Sequence, residues 1–354
     1  MKIKLAILDS DVNYLSRLTS AFESKYANKI EIRSFTDEEM AVSGISQNKV
    51  DVLLVSEKFD FNETKIPKNC GFAYFVDSLN MDMLNNHKTI CKFQKTDSIY
   101  KAILDIYSEN FSGSTEIKID DNADTKFFTF VSAAGGTGCS SVAVGCAKKL
   151  ALSGKKTLYM SMDCFDDAAV FFGQSNDDGM SEVIYTLKSR KANIAIKIEG
   201  LAKKDNSGLN YFTNTKSALD YIELTEDDIE RFFACIKSSG AYEYVVLDTH
   251  FSFDTKAIEL CKLSDLVFFV TDVTMKSNLK TRRAYEALEI YEQMKNVSLI
   301  GKSLLIYNKY VERMSATAEG VDFEVFGCIA NYGYTTESVD NQIAQCEIFN
   351  KLIK

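Results

Sequence analysis

The stretch FVSAAGGTGCSS, residues 130–141, decides how the chain is read. It ends the apolar run KFFTFVS and precedes a helical-period segment from about Ser140 to Leu152, so a strand passes through it into a helix. Gly135, Gly136 and Gly138, with Thr137 between them, allow successive backbone N–H groups to turn toward one point. The helix that follows adds the positive end of its dipole, and the two together cradle a phosphate. Ser140 offers a hydroxyl where Mg²⁺ would sit, with Ser141 beside it. No lysine stands where such a loop normally carries one. The plainer reading of strand, GGxG and helix is a tight structural turn.

Three strand ends further along favour the phosphate loop. TLYMSMD closes on Asp163, a carboxylate placed to orient an attacking water. YEYVVLD closes on Asp248, an apolar run ending in one acid, as when that acid holds a magnesium shell through water. LLIYNK carries Asn308, whose amide can pair with both a donor and an acceptor on adenine. Taken singly, each strand-end acid also reads as a helix cap or a loop residue. SDLVFFVTD (264–272) adds another strand, and residues 225–238, 277–294 and 336–352 read as helices. The apolar stripe of the last helix, Ile343, Ile348, Phe349 and Leu352, is expected to pack on the core and not on a membrane.

The N-terminal half alternates apolar runs (IKLAIL, IEIRSF, VDVLLVS, FAYFVD) with helical segments and closes on DSIYKAILDIYS, residues 97–108. That rhythm predicts a parallel sheet covered by helices. Residues 110–125 are polar and without sustained period, so the expected division is a first domain over 1–110, a linker over 111–125 and a second domain over 126–354. The fold class is α/β, with two doubly wound parallel sheets.

With 46% apolar and 26% charged residues and one proline, 354 residues suit two folded domains. A net charge of −9 disfavours broad attraction to nucleic acid or anionic lipid, and KSRK (188–191) and KTRR (280–283) read as solvated helix faces. Nine scattered cysteines without a CxxC, beside two histidines, indicate neither a disulfide framework nor a zinc site. No apolar window is long enough to span a membrane, and the expected location is cytoplasmic.

The first half resembles the receiver domain of two-component regulators, flavodoxin-like in fold. Asp9 and Asp11 keep the acidity that follows strand 1, and Lys92 matches the receiver lysine. Ser56 stands where the phospho-acceptor aspartate belongs, and a hydroxyl without a base does not accept an acyl phosphate. Asp77 replaces the usual hydroxyl residue, where it is expected to add repulsion near Asp9. Residues 126–354 resemble the MinD/ParA branch of P-loop ATPases, whose loop reads K-G-G-x-G-K-[ST]. By that likeness Gly135, Gly136, Thr137, Gly138 and Ser140 are loop residues, Asp163 is the water-orienting acid, Asp248 the magnesium acid and Asn308 the adenine reader. Ala134 and Cys139 replace both lysines. The order of receiver and MinD-like domain is similar to the TadZ/CpaE family of Tad (Flp) pilus localisation and assembly proteins.

The resemblance implies a homodimer that takes ATP or ADP with Mg²⁺, works with Tad pilus components, and reaches the cell pole or the inner face of the membrane through partners. No specific nucleic acid is expected. Losing a hydrogen bond from a charged group weakens binding by roughly one to two decades, leaving micromolar to millimolar affinity. Hydrolysis suffers more, because cations at the phosphates act on the transition state. The expectation is a nucleotide-holding scaffold with weak or no ATPase activity. The alternatives are an active ParA/MinD-like ATPase that positions cargo or DNA, and an atypical response regulator.

Overall fold

The computed structural model describes residues 2–353 apart from 28, 111–124, 166–167, 174–178, 190–193, 313–315 and 334–337. The expected linker thus lies outside the described residues except for Thr125, whose hydroxyl donates to the Tyr242 carbonyl at 2.8 Å. Two compact units emerge, each with its own sheet.

The first unit begins with β1 (Ile3–Leu8), α1 (Val12–Tyr26), β2 (Ile30–Phe35), α2 (Glu38–Gln47), β3 (Val52–Ser56) and β4 (Gly71–Val76). It continues with β5 (Met83–Leu84), β6 (His87–Cys91) and α3 (Thr96–Asn110). The sheet order is β2-β1-β3-β4-β6-β5, parallel except for the β5–β6 pair. β3 and β4 are buried at every position, as strands covered on both faces must be. Asp11 and Asp37 open α1 and α2 by accepting N–H bonds from Tyr14 and Met40.

The expected βα alternation holds through α2 and then stops. Between β3 and β4 the polar run ending at Pro67 forms one 3₁₀ turn, Glu63–Lys65. Between β4 and β6 the chain folds into a hairpin at Asn85 and Asn86, which take φ of 48° and 65°. Two left-handed residues in a two-residue turn match the twist of paired strands.

At the strand ends of this unit Lys92, 5% exposed, donates to Ser56 Oγ at 3.0 Å. Its Nζ also stands 2.6 Å from Asp9 Oδ2, outside hydrogen-bonding geometry, and 3.4 Å from Asp77 Oδ1. The expected repulsion between Asp77 and Asp9 is corrected by this placement, since the ammonium pairs with both acids.

A further helix joins this unit although its sequence lies deep in the second half: α7 (Ile194–Leu201) groups with the N-terminal segment. It buries Ile194 and Ile198 and lays Ile196 against the cluster that includes Ile103 and Leu104. Lys197 pairs with Asp105, which Lys88 also holds at 2.7 Å. Glu199 pairs with Lys29 and accepts the Tyr100 hydroxyl at 3.2 Å.

The second unit contains β7 (Lys126–Val131), α4 (Cys139–Leu152), β8 (Thr157–Ser161), α5 (Ala168–Phe172) and α6 (Gly179–Ser189). After α7 come β9 (Lys203–Lys204), β10 (Asn210–Tyr211), α8 (Ala218–Ile222), α9 (Glu226–Ser239), β11 (Tyr244–Asp248) and α10 (Thr255–Leu263). β12 (Leu266–Thr271), α11 (Met275–Lys295), β13 (Ser303–Tyr310), β14 (Glu324–Ala330) and α12 (Val339–Ala344) complete it. The sheet runs β14-β13-β12-β7-β11-β8-β10-β9, parallel but for β9–β10. Phe128, Phe130 and Val246 face a core shared with α4 and α12, while Val131, Phe269 and Leu305 face one that includes α10 and α11 residues.

The expected C-terminal helix is broken: α12 ends at Ala344, and Glu347–Leu352 form a 3₁₀ helix. Its stripe does pack on the core, with Ile343, Phe349 and Leu352 buried and Ile348 partly so. A Cβ on Gly145 of α4 would stand 2.4 Å from Ile343 Cγ2, so the two helices touch at a glycine. Buried Lys148 of α4 donates to Asp340 and Asn341 at the same interface.

Candidate phosphate-binding site

β7 has β12 and β11 on either side, so the loop leaving it lies at the carboxyl end of the sheet centre, where doubly wound folds open a crevice. Gly136 and Gly138 take φ of 80° and 82°, which a side chain would strain. Gly138 is the N-cap of α4 and makes no side-chain cap bond, so the first helical N–H groups receive no side-chain acceptor from the cap. Below them the Thr137 hydroxyl donates to Ser132 Oγ at 3.0 Å, and Ser132 donates to the Val270 carbonyl at 2.7 Å. These bonds tie the loop to the end of β12.

The loop faces a cavity of about 460 Å³ lined by residues 132–141 on one side and by Asp163, Asp248, Thr249, His250 and Phe251 on the other. Asp248 ends β11, is buried, and accepts the Tyr159 hydroxyl on Oδ2 at 3.2 Å. Asp163 follows the neighbouring β8, accepts the Phe165 N–H on Oδ1 at 3.0 Å, and has His250 Nδ1 3.5 Å from Oδ2.

Of the residues singled out in the sequence, Gly135, Gly136, Thr137, Gly138, Cys139, Ser140, Ser141, Asp163 and Asp248 share this one cavity. Asn308 does not line it. It is buried behind the loop, where its Nδ2 donates to the Thr137 carbonyl at 2.8 Å. His250 escaped the sequence reading. Its one signal was its place two residues beyond the strand-end acid. Lys309 escaped too, and donates to the Gly136 carbonyl at 2.6 Å.

Among the described lining residues there is no lysine or arginine. Nor is there, among the described residues, a cluster of three His, Cys, Asp or Glu side chains placed to hold a metal. The Ser140 hydroxyl and the buried Asp248 carboxylate are oxygen ligands that suit a magnesium ion keeping water and phosphate as its other ligands. Left-handed glycines at the mouth and an uncapped helix end fit a phosphate chain on the same argument.

Fold and site together define the class: an α/β protein in which a receiver-shaped domain precedes a domain of ParA/MinD-like fold with a glycine loop facing its cavity. Residues 1–108 match the model of the TadZ-like receiver-domain family. The chain therefore has the TadZ/CpaE-like order of domains. No curated protein matches the sequence. Among solved structures, the MinC:MinD cell division complex of Aquifex aeolicus is 17% identical over 64% of this chain and 95% of that one, with a TM-score of 0.50, a likeness of fold alone. A ParA family ATPase from Chlorobium tepidum TLS is 16% identical over 65% and 92%, with a TM-score of 0.49. The septum site-determining protein MinD complexed with Mg-ADP, from Pyrococcus horikoshii OT3, is 16% identical over 64% and 96%, at 0.48. No described helix is long and apolar enough to cross a membrane.

Proposed function

We propose that the second unit holds ATP or ADP with Mg²⁺ and that the chain serves as a dimerising scaffold in Tad pilus assembly, with weak or no hydrolysis. One observation carries the reading: a glycine loop at the start of a 14-residue helix shares a cavity with two strand-end carboxylates while the described wall lacks Lys and Arg. The Gly135–Ser141 amides would receive the phosphates, and the Ser140 hydroxyl and Asp248, the latter through water, would hold the magnesium. Asp163 would orient a water. When bound, magnesium neutralises phosphate charge; the described lining of the cavity adds backbone dipoles to that but no lysine or arginine.

The proposed setting is cytoplasmic, at the pole or the inner membrane face through Tad components, with no specific nucleic acid. Ser56, which accepts a hydrogen bond from Lys92, speaks against a response regulator. Calorimetry of Mg·ATP and Mg·ADP on the purified chain, paired with sedimentation, tests the reading. Heat of binding in the micromolar to millimolar range and nucleotide-dependent dimers are expected, and no heat at millimolar Mg·ATP overturns it.

A further inference from the structure

The loop is gripped from behind by two consecutive residues of one strand. Asn308 Nδ2 donates to the carbonyl of Thr137 at 2.8 Å and Lys309 Nζ to that of Gly136 at 2.6 Å. Neighbouring side chains of a regular strand point to opposite faces. Here the alternation is broken. Lys309 takes φ of 54°, and the β13–β14 register shifts between Tyr307 and Tyr310. A bulge that puts a non-glycine residue in the left-handed region costs free energy, and such outliers persist where they re-aim a side chain. The fit is close: a Cβ on Gly138 would meet Asn308 Nδ2 at 2.5 Å and Lys309 Cε at 3.9 Å.

The Gly136 carbonyl and the Thr137 N–H belong to one peptide unit. An ammonium on its oxygen draws electron density toward that oxygen and makes the N–H at the other end a stronger donor. Lys309 is thus a cation acting through the loop, and its side chain is not among the described lining of the cavity. Burial pushes the carboxyl of Asp272, one residue past β12, upward, but hydrogen bonds from Thr274 and Ser277 and the Lys309 ammonium hold it below its ordinary value.

We propose that Lys309 is a positioning residue for the nucleotide: it fixes and polarises the Gly136–Thr137 peptide while Asn308 holds the next one, Thr137–Gly138, and so supplies from outside the loop part of the positive charge that Ala134 and Cys139 no longer supply from within. The inference rests on the nucleotide-binding reading above.

Lys309→Gly separates charge from fold, because glycine accepts the left-handed backbone without strain. Lys309→Met removes the charge and keeps the bulk; Lys309→Arg keeps both charge and reach. Mg·ATP affinity by calorimetry is expected to fall roughly 3- to 30-fold in the Gly and Met variants, the span of one charged hydrogen bond felt at second hand. The Arg variant should stay within about 3-fold of wild type. The melting temperature of the Gly variant without nucleotide should not drop. Equal affinity in all four proteins overturns the proposal. A second readout needs no nucleotide: the Thr137 amide ¹H and ¹⁵N shifts of the free protein should move in the Gly and Met variants and return toward wild type in the Arg variant. If wild type binds no nucleotide, the functional reading fails, and these shifts still decide whether the clamp polarises the loop. Unmoved shifts overturn it.

Discussion

Lys92 Nζ lies 2.6 Å from Asp9 Oδ2 with both side chains buried, so the receiver-shaped domain carries its own cation at the acidic end of its sheet. The same ammonium bonds Ser56 Oγ, the atom at the place of the missing acceptor aspartate. Removing one partner of a buried pair leaves the other charge stranded and costs about 3–5 kcal/mol. Lys92→Met is therefore expected to lower the unfolding free energy by about that much in urea titration, and Lys92→Met with Asp9→Asn to recover part of it. Acetyl phosphate should leave no phosphate on the wild-type domain. A phosphoserine at position 56 by mass spectrometry would defeat this account.

The cavity predicts what lysines would restore. Ala134 and Cys139 both belong to the loop that lines it, opposite Asp163 and Asp248. Cations there stabilise charge that develops in the transition state, so Ala134→Lys with Cys139→Lys is expected to raise kcat for ATP by at least about 10-fold and to tighten binding by less. A phosphate-release assay checks this. No gain in turnover would mean that Asp163 or Asp248 stands wrongly for chemistry.

The chemistry-bearing strand ends were legible because each is one residue type at one topological place. Asp163 and Asp248 close apolar runs, and parallel pairing of β8 with β11 brings them to the same edge as the loop. What stayed hidden depended on backbone conformation. Asn308 reads from the sequence as a partner for adenine, and its Nδ2 bond to the Thr137 carbonyl is a contact that no local pattern announces. Asn85 and Asn86 concealed a hairpin where a helix-linked crossover was expected. Helix α7 was invisible as a receiver element because nothing in its local period says which sheet it covers; the residues it pairs with, Asp105, Tyr100 and Lys29, lie 92, 99 and 170 residues upstream of their partners.

Cysteine labelling maps the loop directly. Cys70 and Cys261 are buried, and burial pushes each thiol up to about 12; Cys235 is pushed up to about 11. Cys146, within α4, is raised by the same cause. The reactive form is the thiolate, so these four should resist alkylation at pH 7.5 in the folded protein. Cys328 is exposed and Cys139 partly so. Both are expected to label, and Mg·ATP should slow Cys139 several-fold while leaving Cys328 unchanged. Peptide mass spectrometry separates the sites. Equal rates at Cys139 with and without nucleotide would put the phosphates elsewhere.

The α7 contact predicts an acid-sensitive attachment. Asp105 is pushed up by burial, but hydrogen bonds from Lys197 and Lys88 outweigh that and leave its carboxyl below the ordinary value of 3.8. A carboxylate whose pKa is lowered on folding contributes its full stability above its unfolded pKa, and the contribution is lost as pH falls from there through the folded value. Amide exchange along Ile194–Leu201, corrected for intrinsic rates, should therefore stay flat from pH 8 to about 5 and quicken below about 4. Lys197→Met should quicken it at neutral pH. Ile198→Asp, which places a charge at a fully buried site, should release the helix at every pH while the exchange of β1 and β3 stays slow. Protection of α7 unchanged in the Ile198→Asp protein would show that the contact with α3 does not hold it.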